Sequence, residues 1–321
     1  MTSNRQRKLS PDGGALGGLV VLFALCAACG GQDPGSPEAS TSSNEPPPDE
    51  NTLRISTPEL VLGPGEEKTF CYFTSLPTTE TVAVKRYVSA MTEGSHHMIV
   101  FLTREPAQPE GTFAECNKVG LASGVDVPLW AYASQEAEGE LVMPEGVGVE
   151  LAAGQPIMVQ MHYLNAGGAE LAAHVDLEID LHPEGAQYTP ANVFATFNTQ
   201  IEIPPGGSAT VEGSCTVPKD ANFFVMSTHS HHFTTHAEIR DGSSLLVDTS
   251  EWDHPGVADW GNEPYTFASG KLTYRCEYQN PTTQMVRVGE SAQTAEMCMA
   301  VGYFHPATEG VFCLNSTVLP W

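Results

Sequence analysis

Short apolar runs that alternate with polar residues fill the chain from about residue 55 onward. Successive side chains of a strand face opposite sides, so this period of two, broken by Gly, Pro, Asn and Asp, is typical of β-strands. The clearest runs are Thr81–Val88, Val147–Leu151, Pro156–Tyr163, His174–Leu181, Asn192–Phe197, Asn222–Ser227 and Leu272–Tyr278. No segment combines a helical period with helix caps. The pattern predicts an all-β fold of antiparallel β-sandwiches rather than a parallel sheet with helical crossovers.

A segment with Pro and Gly, His182–Pro190, divides the strand-rich region into two halves of similar size. Domain boundaries commonly fall in such turn-forming segments. We therefore predict two domains, residues 55–187 and residues 188–321.

The N-terminus follows a different pattern. Basic residues within the first eight positions precede the apolar run 15–25, which is too short to span a bilayer and is typical of a secretion signal. The run is followed by small residues and Cys29, which resembles the cleavage box of bacterial lipoproteins. We predict that residues 1–29 are a lipoprotein signal peptide and that Cys29 carries the lipid. Ordinary cleavage nearby is the alternative, because Cys26 stands where leucine is usual.

The next segment, residues 30–54, is composed largely of Gly, Pro, Ser and acidic residues. It has almost no apolar side chain to bury, so it is predicted to be a disordered tether between the anchor and the folded part.

The charge balance excludes one class of function. The chain has 39 Asp and Glu against 14 Lys and Arg, a formal net charge of -25. Such a chain would repel a phosphate backbone, so we expect no nucleic-acid partner. Of its eight cysteines, Cys26 and Cys29 belong to the signal region, which leaves six. An even number in an exported protein is what three disulfides require.

Histidines are the first candidates for chemistry. His229 and His231 are two residues apart, so in a strand their imidazoles face the same side and could bind one metal ion. A hydrogen-bonded pair without metal is the alternative. The adjacent His96 and His97 need a twist or a strand end to converge. His162 stands alone in its strand and by itself is more typical of a structural histidine.

A methionine near the C-terminus adds a softer donor. Met297 precedes Cys298, so a disulfide at that cysteine would hold it firmly. Methionine is usually core filler, but its thioether suits Cu(I), and two imidazoles with a thioether form a set that zinc rarely takes.

Several motifs, taken together and in order, resemble one family. They are Ser95-His96-His97-Met98, Leu129-Trp130-Ala131, Met143-Pro144-Glu145-Gly146-Val147-Gly148, Gln160-Met161-His162-Tyr163, Ile203-Pro204-Pro205-Gly206, His229-Ser230-His231-His232 and Glu296-Met297-Cys298. This set is similar to the copper type II, ascorbate-dependent monooxygenases, which comprise peptidylglycine alpha-hydroxylating monooxygenase and dopamine beta-monooxygenase. The resemblance covers nearly all of residues 65–315.

The resemblance implies two jelly-roll-like antiparallel β-sandwich domains that each hold one copper and face each other across a solvent-filled cleft. The positions that match the family's ligands are His96, His97 and His162 for the first copper and His229, His231 and Met297 for the second. His232 follows the matched pair and is expected to support the site without binding metal. The pairings that the resemblance implies for the cysteines are Cys276 with Cys298, Cys215 with Cys313 and Cys71 with Cys116.

The implied activity is hydroxylation of a C–H bond of a small molecule with O2 and with ascorbate or a similar reductant. Met297, His229 and His231 match the site where O2 reacts, and Gln160 is retained two residues before His162. Those four are the catalytic candidates. The two matched ligand sets imply two coppers per chain as cofactors.

The peptide-binding residues of the family are not matched. Ser227 replaces an arginine that holds the peptide carboxylate, and Met299 and Val301 replace an asparagine and a tyrosine. A serine cannot replace a bidentate carboxylate contact, so a smaller or more apolar substrate is expected than a glycine-extended peptide.

Two other functions use the same residues. A copper-binding lipoprotein that captures or buffers copper without turnover would need the same ligands, although two unlike sites favour the enzyme. A zinc hydrolase at the three-histidine site is disfavoured by the methionine and by the lack of an evident general-base carboxylate. In each case we expect an exported protein of the cell envelope, or otherwise a secreted one, that contacts membrane through the lipid anchor only.

Overall fold

Burial alternates along many strands of the computed structural model, which describes residues 51–119 and 129–320. In Val175–Leu181 the odd-numbered side chains are buried and the even-numbered ones are partly or fully exposed. This period of two confirms the all-β prediction. Across the described ranges the helix content is one short helix, α1, at Cys116–Val119.

The strands of the N-terminal half are β1 Thr52–Ser56, β2 Leu60–Leu62, β3 Glu67–Ser75, β4 Val82–Met91, β5 Ser95–Leu102, β6 Phe113–Glu115, β7 Leu129–Ser134, β8 Glu138–Val142, β9 Val147–Leu151, β10 Pro156–Leu164, β11 Leu171–Ala173 and β12 Val175–Leu181. The strands of the C-terminal half are β13 Thr189–Phe197, β14 Glu202–Ile203, β15 Ser208–Thr216, β16 Asn222–Ser230, β17 Thr234–Asp241, β18 Ser244–Thr249, β19 Val257–Asp259, β20 Lys271–Gln279, β21 Val286–Arg287, β22 Cys298–His305, β23 Val311–Leu314 and β24 Thr317–Pro320.

The N-terminal half is a sandwich of two sheets. The first contains β1, β12, β4 and β9, with β8 beside β4, and the second contains β6, β3, β10, β5 and β7 in that order. Their facing side chains form one hydrophobic cluster that includes Tyr87, Tyr132 and Tyr163. Strand β10 lies in the middle of the second sheet, so most of its side chains are buried on both faces.

The C-terminal half repeats this arrangement with its own hydrophobic cluster, which includes Phe194, Phe223 and Tyr274. One sheet contains β13, β22, β16 and β19, with β23 and β24 added beside β13, and the other contains β15, β20, β17 and β18. Burial of each such aromatic side chain contributes roughly 1.5–3 kcal/mol.

Strand β13 joins the two halves. Its first residues pair in parallel with β9, and its later residues pair antiparallel with β22 and parallel with β23. Within the described chain, eleven strands therefore form one sheet that runs through both halves. The two parallel pairs differ from the predicted antiparallel arrangement. The sequence could not predict them, because alternation shows which face of a strand is buried and not the direction of its partner strand. The proposed division at residues 187 and 188 falls just before β13 and remains a prediction.

The folded part begins earlier than the composition suggested. Residues 52–54, placed at the end of the tether by sequence, belong to β1, which pairs with β12 from Thr52 to Ser56. The apolar/polar alternation of β1 covers only a few residues and directly follows an acidic, Pro-rich stretch. The composition of that stretch therefore led to residues 52–54 being assigned to the tether. The signal peptide at 1–29, the lipid at Cys29 and the tether up to residue 50 lie outside the described residues.

Disulfides pair all six cysteines of the described ranges as expected: Cys71 with Cys116, Cys215 with Cys313 and Cys276 with Cys298. Such bonds indicate an oxidising compartment. None of the helical structure in the described ranges is long and apolar enough to cross a membrane.

Candidate metal centre

Five of the eleven histidines lie in one cluster where the two halves meet. Within the described ranges this cluster consists of His96 and His97 in β5, His162 in β10, His229 in β16 and His231 directly after β16. Centroids of neighbouring rings are between 4.8 and 6.0 Å apart.

A β-bulge explains how the adjacent His96 and His97 reach the same site. His162 pairs with His97, whereas the next residue, Tyr163, pairs with Ser95, so β5 has one extra residue at this point. A bulge breaks the regular alternation of faces and redirects a side chain. One ring nitrogen from each of His96, His97 and His162 consequently lies within 4.8 Å of the others.

The second group lies at the end of β16 and just before β22. His229 and His231 are two residues apart, and their ring centroids are 5.3 Å apart. Met297 lines the same cavity as His229. The residue after Met297, Cys298, is held by its disulfide to Cys276. The chain thus brings all six predicted ligands to one region, and their binding of metal remains a prediction.

The two groups are in direct contact. The His97 and His229 ring centroids are 5.3 Å apart, and those of His96 and His231 are 5.6 Å apart. The solvent-filled cleft that the family resemblance implied does not separate these rings. The physical reason is that the halves share a sheet and exchange hydrogen bonds beside the histidines, such as that from Tyr303 Oη to the Ala131 carbonyl at 3.1 Å.

Hydrogen bonds to outer residues set which nitrogen of three rings carries the proton. His162 Nε2 donates to Glu67 at 2.8 Å and His229 Nδ1 donates to the Gln135 side-chain oxygen at 2.6 Å. His231 Nδ1 donates to the Ala295 carbonyl at 3.2 Å. The acceptor oxygens carry no proton, so the bonded nitrogen of each ring is the donor, and the other ring nitrogen is the one available to a metal.

Buried ring nitrogens without a partner are the main signal of a ligand here. Among the described residues, His96 Nε2, His97 Nδ1, His162 Nδ1 and His231 Nε2 are buried and have no hydrogen bond. An unsatisfied buried polar atom costs about 1–3 kcal/mol, so four in one cluster need an explanation. Coordination of a metal ion by these lone pairs would satisfy them, and this donor set therefore fits a metal.

The imidazoles are also in the protonation state that metal binding needs. Burial, helped by the neighbouring rings, lowers the pKa of His96 to about 3. Burial is also the first cause that lowers the pKa of His231 to about 4, and it holds the pKa values of His97 and His229 well below the usual value. All four rings are therefore neutral at pH 7.

The Glu296 carboxylate connects residues of the second group by hydrogen bonds. Its buried carboxylate accepts backbone N–H bonds from His231 at 3.0 Å, Phe233 at 2.6 Å and Met297 at 3.2 Å, and the Thr234 hydroxyl at 3.3 Å. Burial raises the pKa of its carboxyl to about 7. The sequence motif contained Glu296, but its spacing alone gave no role for it.

Two cavities adjoin the cluster and share a wall of His97, Ile99, Trp130 and His229. The first, which we call the apolar cavity, has a volume of about 250 Å³. Its described lining residues are Thr69, His97, Ile99, Phe101, Trp130, Gln160, His162, Phe197, His229, Glu290, Met297, Met299 and Phe312. The second, of about 280 Å³, is bordered by Glu136, Glu138 and Glu140.

The residues that replace the family's peptide-binding positions line these cavities. Ser227 and Val301 line the second cavity, and Met299 lines the apolar one. The Ser227 hydroxyl donates to the Gly256 carbonyl at 3.1 Å, so its proton is already used. Gln160 is buried and faces the apolar cavity.

Three residues at the cluster were not singled out from the sequence: Glu67, Gln135 and Trp252. Glu67 and Gln135 are the hydrogen-bond partners of His162 and His229, and the Trp252 ring lies 5.1 Å from that of His96. Each is far along the chain from the histidine that it contacts, so no local pattern could have identified it.

The other histidines stay outside the cluster. His232 is exposed and its ring packs on Phe233, with centroids 4.3 Å apart. The rest contact other groups: His174 with Asp176, His182 with the Val147 carbonyl, His236 with Asp248, His254 with Glu136 and His305 with Phe224.

In comparisons with known proteins, no family model matches the chain and no curated protein matches it.

Proposed function

We propose that this protein is a copper-dependent monooxygenase that hydroxylates a C–H bond of a neutral, largely apolar small molecule with O2 and an external reductant such as ascorbate. The observation that carries the proposal is the cluster of buried imidazole nitrogens without hydrogen-bond partners, beside a methionine and an apolar cavity.

The donor set favours copper over the other common metals. Under this proposal the ligands are His96, His97 and His162 at one copper and His229, His231 and Met297 at the other. Carboxylates take no direct part, which disfavours Mg²⁺, Ca²⁺ and Mn²⁺, and a thioether favours Cu(I) over zinc. Bound copper would supply one-electron redox chemistry and the activation of O2.

The protein's own residues prepare the site for that chemistry. Glu67, Gln135 and the Ala295 carbonyl each orient one ring by accepting a hydrogen bond from its outer nitrogen. The surrounding aromatic and aliphatic side chains limit the entry of water. Gln160, buried in the wall of the apolar cavity, offers an amide for one polar group of a substrate.

The cavities support the choice of substrate class. A cavity of about 150 Å³ accommodates benzene, so the 250 Å³ of the apolar cavity suits one ring with a few further atoms. Neither cavity has an Arg or Lys side chain among its described lining residues. Without an Arg or Lys side chain, a substrate carboxylate would lose its hydration and gain no ion-pair partner from the protein. A neutral compound is therefore favoured over a glycine-extended peptide.

The proposal also includes the location. Disulfides require an oxidising compartment, and an exported lipoprotein anchored at Cys29 would place this domain at the cell envelope. Under this proposal the lipid anchor keeps the protein at a membrane.

The test uses the chain without residues 1–29, loaded with copper and supplied with ascorbate. Oxygen uptake is followed with a panel of neutral ring compounds, each paired with its carboxylate analogue, and with a glycine-extended peptide. We expect two coppers per chain and uptake that depends on a neutral substrate.

Other outcomes count against parts of the proposal. Two coppers without substrate-dependent uptake would indicate a protein that only binds copper. One copper, or tight zinc, would overturn the two-site assignment. Efficient hydroxylation of the glycine-extended peptide would show that our interpretation of Ser227 is wrong.

A further inference from the structure

One carboxylate, that of Glu67, connects the two halves beside the histidine cluster. Glu67 is the first residue of β3 in the N-terminal half and is partly buried. Its Oε1 accepts bonds from His162 Nε2 at 2.8 Å and from the Ala292 amide at 3.1 Å. Its Oε2 accepts the Ser291 hydroxyl at 3.2 Å. The carboxylate thus binds a histidine of its own half and a loop of the other half.

That loop, Gly289–Glu296, which we call the clamp loop, also contacts the second group of histidines. The Ala295 carbonyl accepts His231 Nδ1 at 3.2 Å, and the Glu296 carboxylate accepts the His231 amide at 3.0 Å. The Gly289 amide donates to the Glu296 carbonyl at 3.1 Å and closes the base of the loop. A displacement at Ser291 and Ala292 is therefore expected to reach Ala295 and the ring of His231.

Three donors meet at the Glu67 carboxylate. Its two oxygens accept hydrogen bonds from His162, Ser291 and Ala292. A carboxylate that holds a ligand histidine by its outer nitrogen fixes the ring and raises its basicity. Charge-assisted bonds of this kind are also about twice as strong as neutral ones.

We propose that Glu67 is a positioning residue that couples the two groups of histidines, since it orients His162 directly and His231 through the clamp loop. The inference rests on the proposed role of these histidines as metal ligands but not on turnover. Its consequence is that a change in the N-terminal half weakens metal binding in the C-terminal half.

The first test needs no metal. Hydrogen exchange is measured on the metal-free protein and on Glu67→Ala, Glu67→Gln and Ser291→Ala. In Glu67→Ala we expect amides of the clamp loop and of residues 231–233 to exchange about tenfold faster, because the anchoring bonds are lost. Ser291→Ala, which keeps the bond to His162, should show a smaller increase in the clamp loop.

The matched control is Glu115→Gln. Glu115 lines the same surface cavity as Glu67, but its carboxylate pairs with Lys118 at 2.8 Å. We expect exchange in this variant to match the wild type. Unchanged protection of the central strands in every variant shows that the fold is intact.

The second test isolates the coupling by copper affinity. In a His162→Ala background, Cu(I) binding at His229, His231 and Met297 is measured by competition with a chromophoric Cu(I) chelator. If Glu67 acts only on His162, adding Glu67→Ala changes nothing; under the proposal it weakens the remaining site about tenfold or more. Glu67→Gln, which keeps one acceptor oxygen, should fall between the two.

The proposal is overturned if Glu67→Ala leaves both the clamp-loop exchange and the affinity of the remaining site unchanged. If the wild type binds no copper, the proposed function fails, while the exchange experiment still decides whether Glu67 couples the two groups.

Discussion

The three-histidine group and the group with Met297 are built on different scaffolds. His96, His97 and His162 lie on two adjacent strands of one sheet, so strand register and one bulge fix their geometry. In the other group, His231 and Met297 lie outside strands and depend on bonds to Glu296 and Ala295. A site on regular strands is held more rigidly than a site on connecting segments. The first group is therefore preorganised, and the second can adjust.

This difference agrees with the roles that the family resemblance implies, in which the three-histidine copper supplies an electron and the other copper reacts with O2. Three fixed imidazoles serve both oxidation states of copper, which suits a site that only passes an electron. A softer, more adjustable site with a thioether favours Cu(I) and suits the place where O2 and substrate meet. Each prediction below perturbs one group and leaves the other in place.

The largest effect is expected from Met297→Ile, which removes the thioether but keeps an apolar side chain of similar size. Turnover should be abolished, because the second group loses its preference for Cu(I), while folding and the three-histidine site are retained. Ascorbate-dependent oxygen uptake and thermal unfolding are the measurements.

Met285→Ile is the matched control, since Met285 is 44% exposed and does not line the apolar cavity. If Met297→Ile retained wild-type oxygen uptake, Met297 would have no role in turnover. The main argument for two unlike copper sites would then be lost.

A second contrast compares two disulfides. Replacing Cys71 and Cys116, or Cys276 and Cys298, by serine should lower the free energy of unfolding by about 3–4 kcal/mol in each case. Only the loss of the Cys276–Cys298 bond should also weaken Cu(I) binding at the second group, because Cys298 directly follows Met297. Urea unfolding and chelator competition separate the two effects. An equal loss of copper affinity in both double variants would contradict the assignment.

The sequence predicted the two scaffolds unequally well. Strands such as Val175–Leu181 could be located because their apolar and polar residues alternate locally. His229 and His231 were candidates because their spacing matches that alternation. The convergence of His96 with His97 depends on a bulge, which the alternation of one strand does not reveal.

Contacts between residues far apart in the chain were not predictable in the same way. His162 became a candidate only through the family resemblance, and Glu67 was not considered at all. The Glu67–His162 contact joins residues 95 positions apart, and its existence depends on how β3 and β10 pair. The local sequence pattern predicts which side chains are buried. It does not predict which buried surfaces pack against each other, and these contacts depend on that packing.

The smallest predicted effect concerns Gln135. This residue belongs to the N-terminal half but accepts a hydrogen bond from His229, which is in the group with Met297. Its side-chain oxygen accepts His229 Nδ1 at 2.6 Å, and its amide donates to the Trp252 carbonyl at 3.3 Å. In Gln135→Leu we expect copper affinity at the second group to fall about tenfold, with the three-histidine site unchanged, because the His229 ring loses its orienting partner. Gln155→Leu is the control, since the Gln155 side-chain amide donates to the backbone carbonyls of Thr103 and Pro156 and not to a histidine. Chelator competition in His162→Ala and His231→Ala backgrounds reports each site separately, and an equal change at both sites would show that the rigid and the adjustable group are not distinct.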